Sequence, residues 1–512
     1  MKSITKRFFA VSGALALGLT AVKAQTDSAL LDALVKKGVL SNKEAEDISA
    51  SEAKDSATTA GSKLSIGDYV QKLTIYGDAR LRFEYADEKA QSGLPVPVGG
   101  GNGGDNIVER NRYRLRIGAD YVYSDNFKGG FELESNTAND SANQSFGSAY
   151  EKAAINIGLV YLQWKPVDWL TLTGGKQRNP LYTTDLVWDP DINPEGASEA
   201  LSWTFPFGGE SAPADPKDLK AVAAPASDES LTVGFTAFQG IYSDNSEFNT
   251  KGTDNTDSWQ FVEQVPVQFN FNKNMFVKVV PGFDTYMGGG NVGPGNGPAG
   301  EAGGGTLAFM APNADDDLAI VTAPGEFDWK FDKVPMKFYW DFAANLDGKA
   351  RVQQVYLGNA TVVGAAGSSI AKTQAQNQAL GDNIAWLAGI QAGQNKKKGD
   401  WSFRADYRQV GLGSIDPNLN DSDWGDSYLN QQGVKVAGSY NFTDFLIGTI
   451  TVYDTWAYKS SLLNGLPGAN PTGLPIAGGG GATVTGTTAS GITNLAGVSQ
   501  TQRVDVDLQW KF

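Results

Sequence analysis

The sequence has 512 residues, of which 19% are charged and 11% aromatic, with 61 glycines, no cysteine and no histidine. That composition removes disulfides, thiol nucleophiles, imidazole bases and the usual zinc ligand sets together, and with them the commonest parts of hydrolase mechanisms. A formal charge of −15 makes nucleic acid a poor partner, because a polyanion is held by neutralising cations.

Residues 1–24 carry Lys2, Lys6 and Arg7, an apolar run from Phe8 to Thr20, and Val22-Lys23-Ala24. This is the pattern of a secretory signal peptide cleaved after Ala24. Cleavage takes away four basic residues, the three named and Lys23, and no acidic ones, moving the charge from −15 to −19. The apolar run is too short to span a bilayer, and no later stretch reaches the roughly 18 apolar residues that a spanning helix needs. Any membrane crossing must therefore be made by strands.

Residues 25–65 read differently from everything after them. Leu30, Leu31, Leu34 and Val35 recur at helical spacing, Gly38 interrupts, and Ser41 with Glu44 matches a capping box. The spacing predicts a short periplasmic helical segment, with Ser49 to Ser65 as a flexible linker. Such a segment can be a spacer, an oligomerisation module or a cell-wall contact through residues 27–54.

From Leu73 the period becomes two, and residues 66–512 are expected to form one all-β domain. Leu73 to Tyr85 places Leu73, Ile75, Ala79, Leu81, Phe83 and Tyr85 on one face and Thr74, Asp78, Arg80, Arg82 and Glu84 on the other. Arg112 to Ser124 repeats the arrangement. Further strands are expected at Phe127–Thr137, Ala154–Lys165, Trp169–Asn179, Leu201–Phe207, Leu231–Ile241, Ser258–Phe271, Met275–Tyr286 and Glu326–Phe331. The series ends with Val334–Leu346, Asn383–Gly393, Trp401–Gly411, Val434–Phe442, Phe445–Tyr458 and Thr501–Phe512, giving about sixteen strands.

Short links, such as Asp125-Asn126 and Asp332-Lys333, alternate with long segments rich in Gly, Asp and Asn, such as Met287 to Gly325. A transmembrane antiparallel β-barrel has this rhythm, with short periplasmic turns and long external loops. Gly208 to Ser230 breaks it: either Leu201–Phe207 is not a strand, or this stretch is a periplasmic excursion. Tyr and Trp gather at strand ends, as an interfacial girdle requires, and sixteen strands are wide enough to leave an aqueous channel.

The polar face carries the candidate functional groups. Arg110, Arg112, Arg114 and Arg116 alternate along one strand, a column of roughly 20 Å at about 3.3 Å per residue, and Arg80 and Arg82 share its face. Like charges so placed need neutralising. They either form ion pairs with Glu132 and Glu134 on the next strand, or draw anions and the negative ends of solutes down a pore, and both can hold at once. Pro180 to Glu199 supplies the opposite charge through Asp185, Asp189, Asp191, Glu195 and Glu199, stiffened by Pro180, Pro190 and Pro194. Asp189, Asp191 and Asn193 have calcium-loop spacing, but Pro194 and Ala200 occupy the positions that need Gly and Glu. No catalytic set stands out, and nothing calls for a metal or cofactor.

With these residues in place, and above all the segment Val187 to Ala197 (VWDPDINPEGA), YLQWKP at Tyr161 to Pro166 and the terminal strand ending at Phe512, the chain resembles the porins of Gram-negative outer membranes. These include the general and phosphate-selective porins. The resemblance covers about Leu73 to Phe512. It implies a homotrimeric sixteen-strand barrel in outer-membrane lipid and lipopolysaccharide, conducting small hydrophilic solutes and ions by passive diffusion. It also implies that Pro180 to Glu199 folds inward as the constriction, and that Phe512 serves as an insertion signal. The external loops are acidic where a phosphate-selective pore would carry lysine, which favours a general pore. A secreted soluble β-protein acting on polysaccharide, and a non-conducting outer-membrane adhesin or structural barrel, are the alternatives.

Overall fold

A computed structural model of the protein describes residues 69–90, 106–136, 141–207, 228–243, 258–287, 318–348, 383–411, 413–427, 429–459 and 498–512. The expected signal peptide, helical segment and linker lie outside the described residues, as does most of Gly208 to Ser230. The chain divides into Met1–Tyr69 and Val70–Phe512, and the barrel belongs to the second.

Sixteen antiparallel strands form that barrel, in chain order around its wall. The first seven are Lys72–Ala90, Asn106–Ser124, Phe127–Ser135, Ile155–Val167, Leu170–Lys176, Glu195–Pro206 and Ser230–Ser243. The next three are each broken once, into Ser258–Gln264 with Val267–Asn272, Met275–Val279 with Gly282–Met287, and Ala319–Thr322 with Gly325–Phe331. Val334–Asn345, Ile384–Gly393, Trp401–Val410, Gln431–Asn441, Leu446–Ala457 and Val498–Lys511 complete the wall. The last strand pairs with the first, from Asp78 opposite Lys511 to Ala90 opposite Val498, which closes the sheet. No edge strand is then left to aggregate.

The three breaks share one cause. Proline has no N–H to give to a ladder, and Pro266, Pro281 and Pro324 stand side by side. Val265 N–H donates to the Pro281 carbonyl at 2.9 Å and Val280 N–H to the Pro324 carbonyl at 2.9 Å, so the ladder steps across the prolines and resumes. The tenth strand consequently starts at Ala319, before its proline, and not at Glu326. The sixth strand is present and starts at Glu195 instead of Leu201. Its first residues have no apolar alternation, but they find backbone partners in Gly174, Gly175 and Lys176.

The barrel is inverted relative to a soluble domain. Ile75, Leu81 and Phe83 point outward and are 60%, 40% and 39% exposed, while the alternate residues Arg82 and Glu84 are buried inside. An exposed apolar belt around a charged interior is stable only when hydrocarbon covers the outside. Trp169 and Trp203 stack with centroids 5.8 Å apart at the short-turn end of that belt, where an amphipathic ring meets the headgroups. Val506 lies mid-strand on the outer face between Phe83 and Ile450. Val506→Arg is expected to destabilise the barrel in lipid by about 2–4 kcal/mol. Reversible urea titration in vesicles would measure it, and an unchanged midpoint would show that this face does not meet lipid.

Candidate functional site

The interior is occupied by two connections that fold into it from the long-loop end. The first, residues 177–194, joins the fifth and sixth strands; the second, residues 411–430, joins the thirteenth and fourteenth. Asn179 caps the start of the first by accepting the Leu181 N–H at 3.0 Å, and Asp189 turns its far end by accepting the Asp191 N–H at 2.9 Å. Asp416 and Asp421 make the same local bonds in the second segment, to Asn418 N–H at 2.9 Å and Asp423 N–H at 3.1 Å. These are Asx turns, and the density of Asp and Asn in both segments is their sequence cause.

The two segments pack on one another and on the wall. Leu181, Leu186, Trp188 and Ile192 of the first meet Ile415, Leu419, Trp424 and Leu429 of the second, together with Phe238, Val262, Tyr286 and Leu387 from the strands. A small apolar core thus sits within an otherwise polar lumen. Polar bonds tie it down: Asp189 N–H donates to the Leu419 carbonyl at 2.5 Å, and Ser422 N–H donates to the Asp189 carboxylate at 3.0 Å.

Charge fixes the first segment to the wall at two places. Asp185 accepts from Arg404 at 3.0 Å, Arg408 at 3.2 Å and Lys435 at 2.9 Å on the thirteenth and fourteenth strands. Burial alone would raise the Asp185 pKa, but Lys435, Arg404 and Arg408 together hold its carboxyl well below the usual range. Thr184 donates to Asp341 at 2.7 Å on the eleventh strand, and Tyr182 N–H donates to Gln264 at 2.9 Å on the eighth. Further around the wall, on the second strand, Asp191 reaches Arg114 at 3.4 Å and Arg116 at 3.5 Å. Asp191 and this part of the column are therefore in contact, with no aqueous gap between them. Glu195 begins the sixth strand and pairs with Lys176 at 3.0 Å.

The arginine column is a wall of ion pairs, but Glu132 and Glu134 are not its partners. Asp78 takes Arg114 at 2.8 Å and Arg116 at 2.7 Å; Glu84 takes Arg110 at 2.6 Å and Arg112 at 3.3 Å. Arg82 bonds Asp507 at 2.8 Å and Asp505 at 3.0 Å across the closing seam, and Asp423 of the second inward segment at 2.8 Å. Arg80 donates to Asn143 at 2.6 Å. The reason is register: barrel closure sets Arg82 opposite Asp507 and Glu84 opposite both Arg110 and Asp505.

One arginine outside the column is differently placed. Arg178, at the root of the first inward segment, has a side chain 51% exposed, the most open of the arginines in ion pairs. Its guanidinium lies 5.1 Å from the Tyr76 ring centroid and donates to the Tyr76 hydroxyl, with Glu132 3.9 Å away. Tyr76 itself lies against Gly118, where a Cβ would collide with its ring. Beside the first segment a cavity of about 530 Å³ remains, lined by Glu134, Lys176, Asp191, Asn193, Tyr242 and Gln260 among others. No group of acidic residues able to hold a metal ion is found among the described residues.

A closed, inverted barrel with a charged, loop-narrowed interior has a counterpart among known families: residues 62–287 match the model of the family described as "Putative porin". That match spans a little under half of the sequence and takes in the first nine strands and the first inward segment. Structural similarity extends to OmpF of Salmonella typhi, solved with daunomycin, at 9% identity over 88% of this chain and 100% of that one, with a TM-score of 0.40. OprB of Pseudomonas putida aligns at 11% identity over 85% and 94%, TM-score 0.41. The outer-membrane channel DcaP of Acinetobacter baumannii aligns at 11% over 86% and 97%, TM-score 0.37. Among curated proteins no sequence match is found.

Proposed function

We propose that this porin passes small hydrophilic solutes and ions by passive diffusion through a lumen narrowed jointly by residues 177–194 and 411–430. The observation that carries this reading is the first segment's attachment inside the lumen to separate parts of the wall, through Asp185 to the thirteenth and fourteenth strands and Asp191 to the second. The passage then runs beside that segment, along the cavity that Lys176, Asp191 and Glu134 line. Asp78, Glu84, Asp185, Asp505 and Asp507 of the interior are held by arginine and lysine, as charges that line a passage would be. The porin class supports a homotrimer set in outer-membrane lipid and lipopolysaccharide, which the native mass of the detergent-solubilised protein would test.

Arg178 is more exposed than any arginine of the column and meets Glu132 only at 3.9 Å, so its charge acts on a passing ion more than those paired at hydrogen-bond distance. Planar-bilayer recording should show discrete channels, and Arg178→Glu should move the reversal potential in a KCl gradient towards cations. An electrically silent protein would support the structural-barrel reading. A conducting Arg178→Glu channel with unaltered selectivity would remove Arg178 from the passage.

A further inference from the structure

The charges of the lumen change character along its length. In the middle, each arginine of the first two strands except Arg80 meets a carboxylate within 3.3 Å. Towards the short-turn end the inward-facing rows of five strands each finish on a lysine. Lys72 continues the row of Tyr76 and Asp78, Lys128 that of Glu132, Lys165 that of Tyr161 and Gln163, Lys330 that of Glu326 and Asp328, and Lys511 that of Asp507 and Gln509. All five are exposed. Among the described residues only Lys165 has a carboxylate within ion-pair reach, Asp168 at 3.8 Å.

Asp125, Asp168 and Asp332 lie in the short turns themselves, while several other acids at this level are engaged elsewhere. Asp400 accepts the backbone N–H groups of Lys396 at 3.0 Å and Lys397 at 3.1 Å, and Asp444 accepts that of Lys398 at 2.7 Å, so both shape turns. Glu326 and Asp328 face Lys337, and Asp120 accepts from the Tyr161 hydroxyl. Four of the five stand on the sixteenth, first, third and fourth strands, which lie within one stretch of the closed wall, and the fifth, Lys330, stands across the mouth on the tenth. In a chain whose net charge is −15, five exposed lysines ending inward-facing rows at one mouth stand out.

From this placement we infer that Lys72, Lys128, Lys165, Lys330 and Lys511 form an incomplete, anion-attracting ring, weighted to one side of the short-turn mouth, and set the preference of the channel for small anionic solutes, such as carboxylates and phosphates. The inference rests on the porin reading. A ring of one sign, set in a low-dielectric wall, focuses its field on the opening and raises the local concentration of counter-ions. Its reach is about 10 Å at 0.1 M salt and about 3 Å at 1 M. The preference is therefore strong in dilute salt and fades in concentrated salt. The paired arginines of the middle zone contribute little to it, because their fields are cancelled within one hydrogen-bond length.

The test is the reversal potential of the full-length protein in KCl gradients, before and after replacing all five lysines with Gln. The expected result is an anion-preferring channel whose reversal potential moves towards cations in the variant, with the difference shrinking as mean salt rises towards 1 M. A conducting variant with the parent's reversal potential would overturn the ring while leaving the porin reading intact, whereas a parent that does not conduct would overturn both. Should the variant fail to fold, tripolyphosphate added to one face of the unmodified channel serves instead. Block from the short-turn face at lower concentration than from the other supports the ring, and equal or absent block overturns it.

Discussion

Asp185→Ala is expected to widen the channel and destabilise the barrel at once. The Asp185 carboxylate is the common acceptor of Arg404, Arg408 and Lys435. Without it these three cations share only Asp406 and Asp421, and Arg408 is 1% exposed and cannot reach water. Removing one partner from a buried ionic network costs about 3–5 kcal/mol. Asp191→Ala should cost less, because Arg114 and Arg116 both retain Asp78 at shorter distances. The Asp185 site is therefore the stronger of the two anchors, and its loss should free the middle of the first inward segment. Single-channel conductance should rise and the urea midpoint should fall; an unchanged conductance would mean that this segment does not limit the passage. The same anchor sets the acid response. A carboxylate whose folded pKa is depressed stabilises the protein above its unfolded pKa and loses that contribution as pH falls through the folded value. Because the Asp185 pKa is held well below normal, its anchoring should persist from neutral pH through about pH 4, the ordinary carboxylate range. Any widening traceable to Asp185 should appear only in stronger acid.

The strands were legible because lipid outside and polar groups inside impose a strict period of two, and that pattern survives in segments such as VDVDLQWKF even without knowledge of their neighbours. What alternation cannot reveal is pairing across the seam. Arg82 and Asp507 are separated by 425 residues and meet only because the sheet closes. Glu132 and Glu134, on the next strand in sequence, are the partners that local reasoning offers the column. The second inward segment was missed for a related reason. SIDPNLNDSDWGD, from Ser414 to Asp426, reads as a solvated turn region, and while Asp421 meets Arg408 and Lys435 of the flanking strands, the cations that draw Asp423 inward, Arg82 and Arg503, lie on strands far from it in sequence. A usable signal was present in WSFRADYRQV at 401–410, where Arg404, Asp406 and Arg408 repeat the alternation of the arginine column on a second strand. Arg178 had no such signal, being a single cation in GGKQRNP whose environment depends on Tyr76 of the first strand. The four residues Ala319 to Thr322 were too few to show a period once Pro324 had cut them off.

Trp424→Ala should produce much of the Asp185→Ala phenotype from the other segment. Trp424 is 1% exposed, belongs to the apolar core that joins the two segments, and lies 5.6 Å from the Arg408 guanidinium. Truncating a buried Trp to Ala costs about 3–5 kcal/mol through lost burial and the cavity left behind. Arg408 would lose the ring above it while keeping Asp406, Asp421 and Asp185. If both substitutions release the same packed unit, their effects on conductance should not add: the double variant should conduct little more than either single one, because residues in one network couple. Additive conductance changes in the double-mutant cycle would show instead that the two segments gate separate parts of the lumen. Stability is an independent readout of the same coupling. A double variant that loses clearly less than the sum of the two single losses would place Asp185 and Trp424 in one cooperative plug, held by charge on one side and by apolar contact on the other.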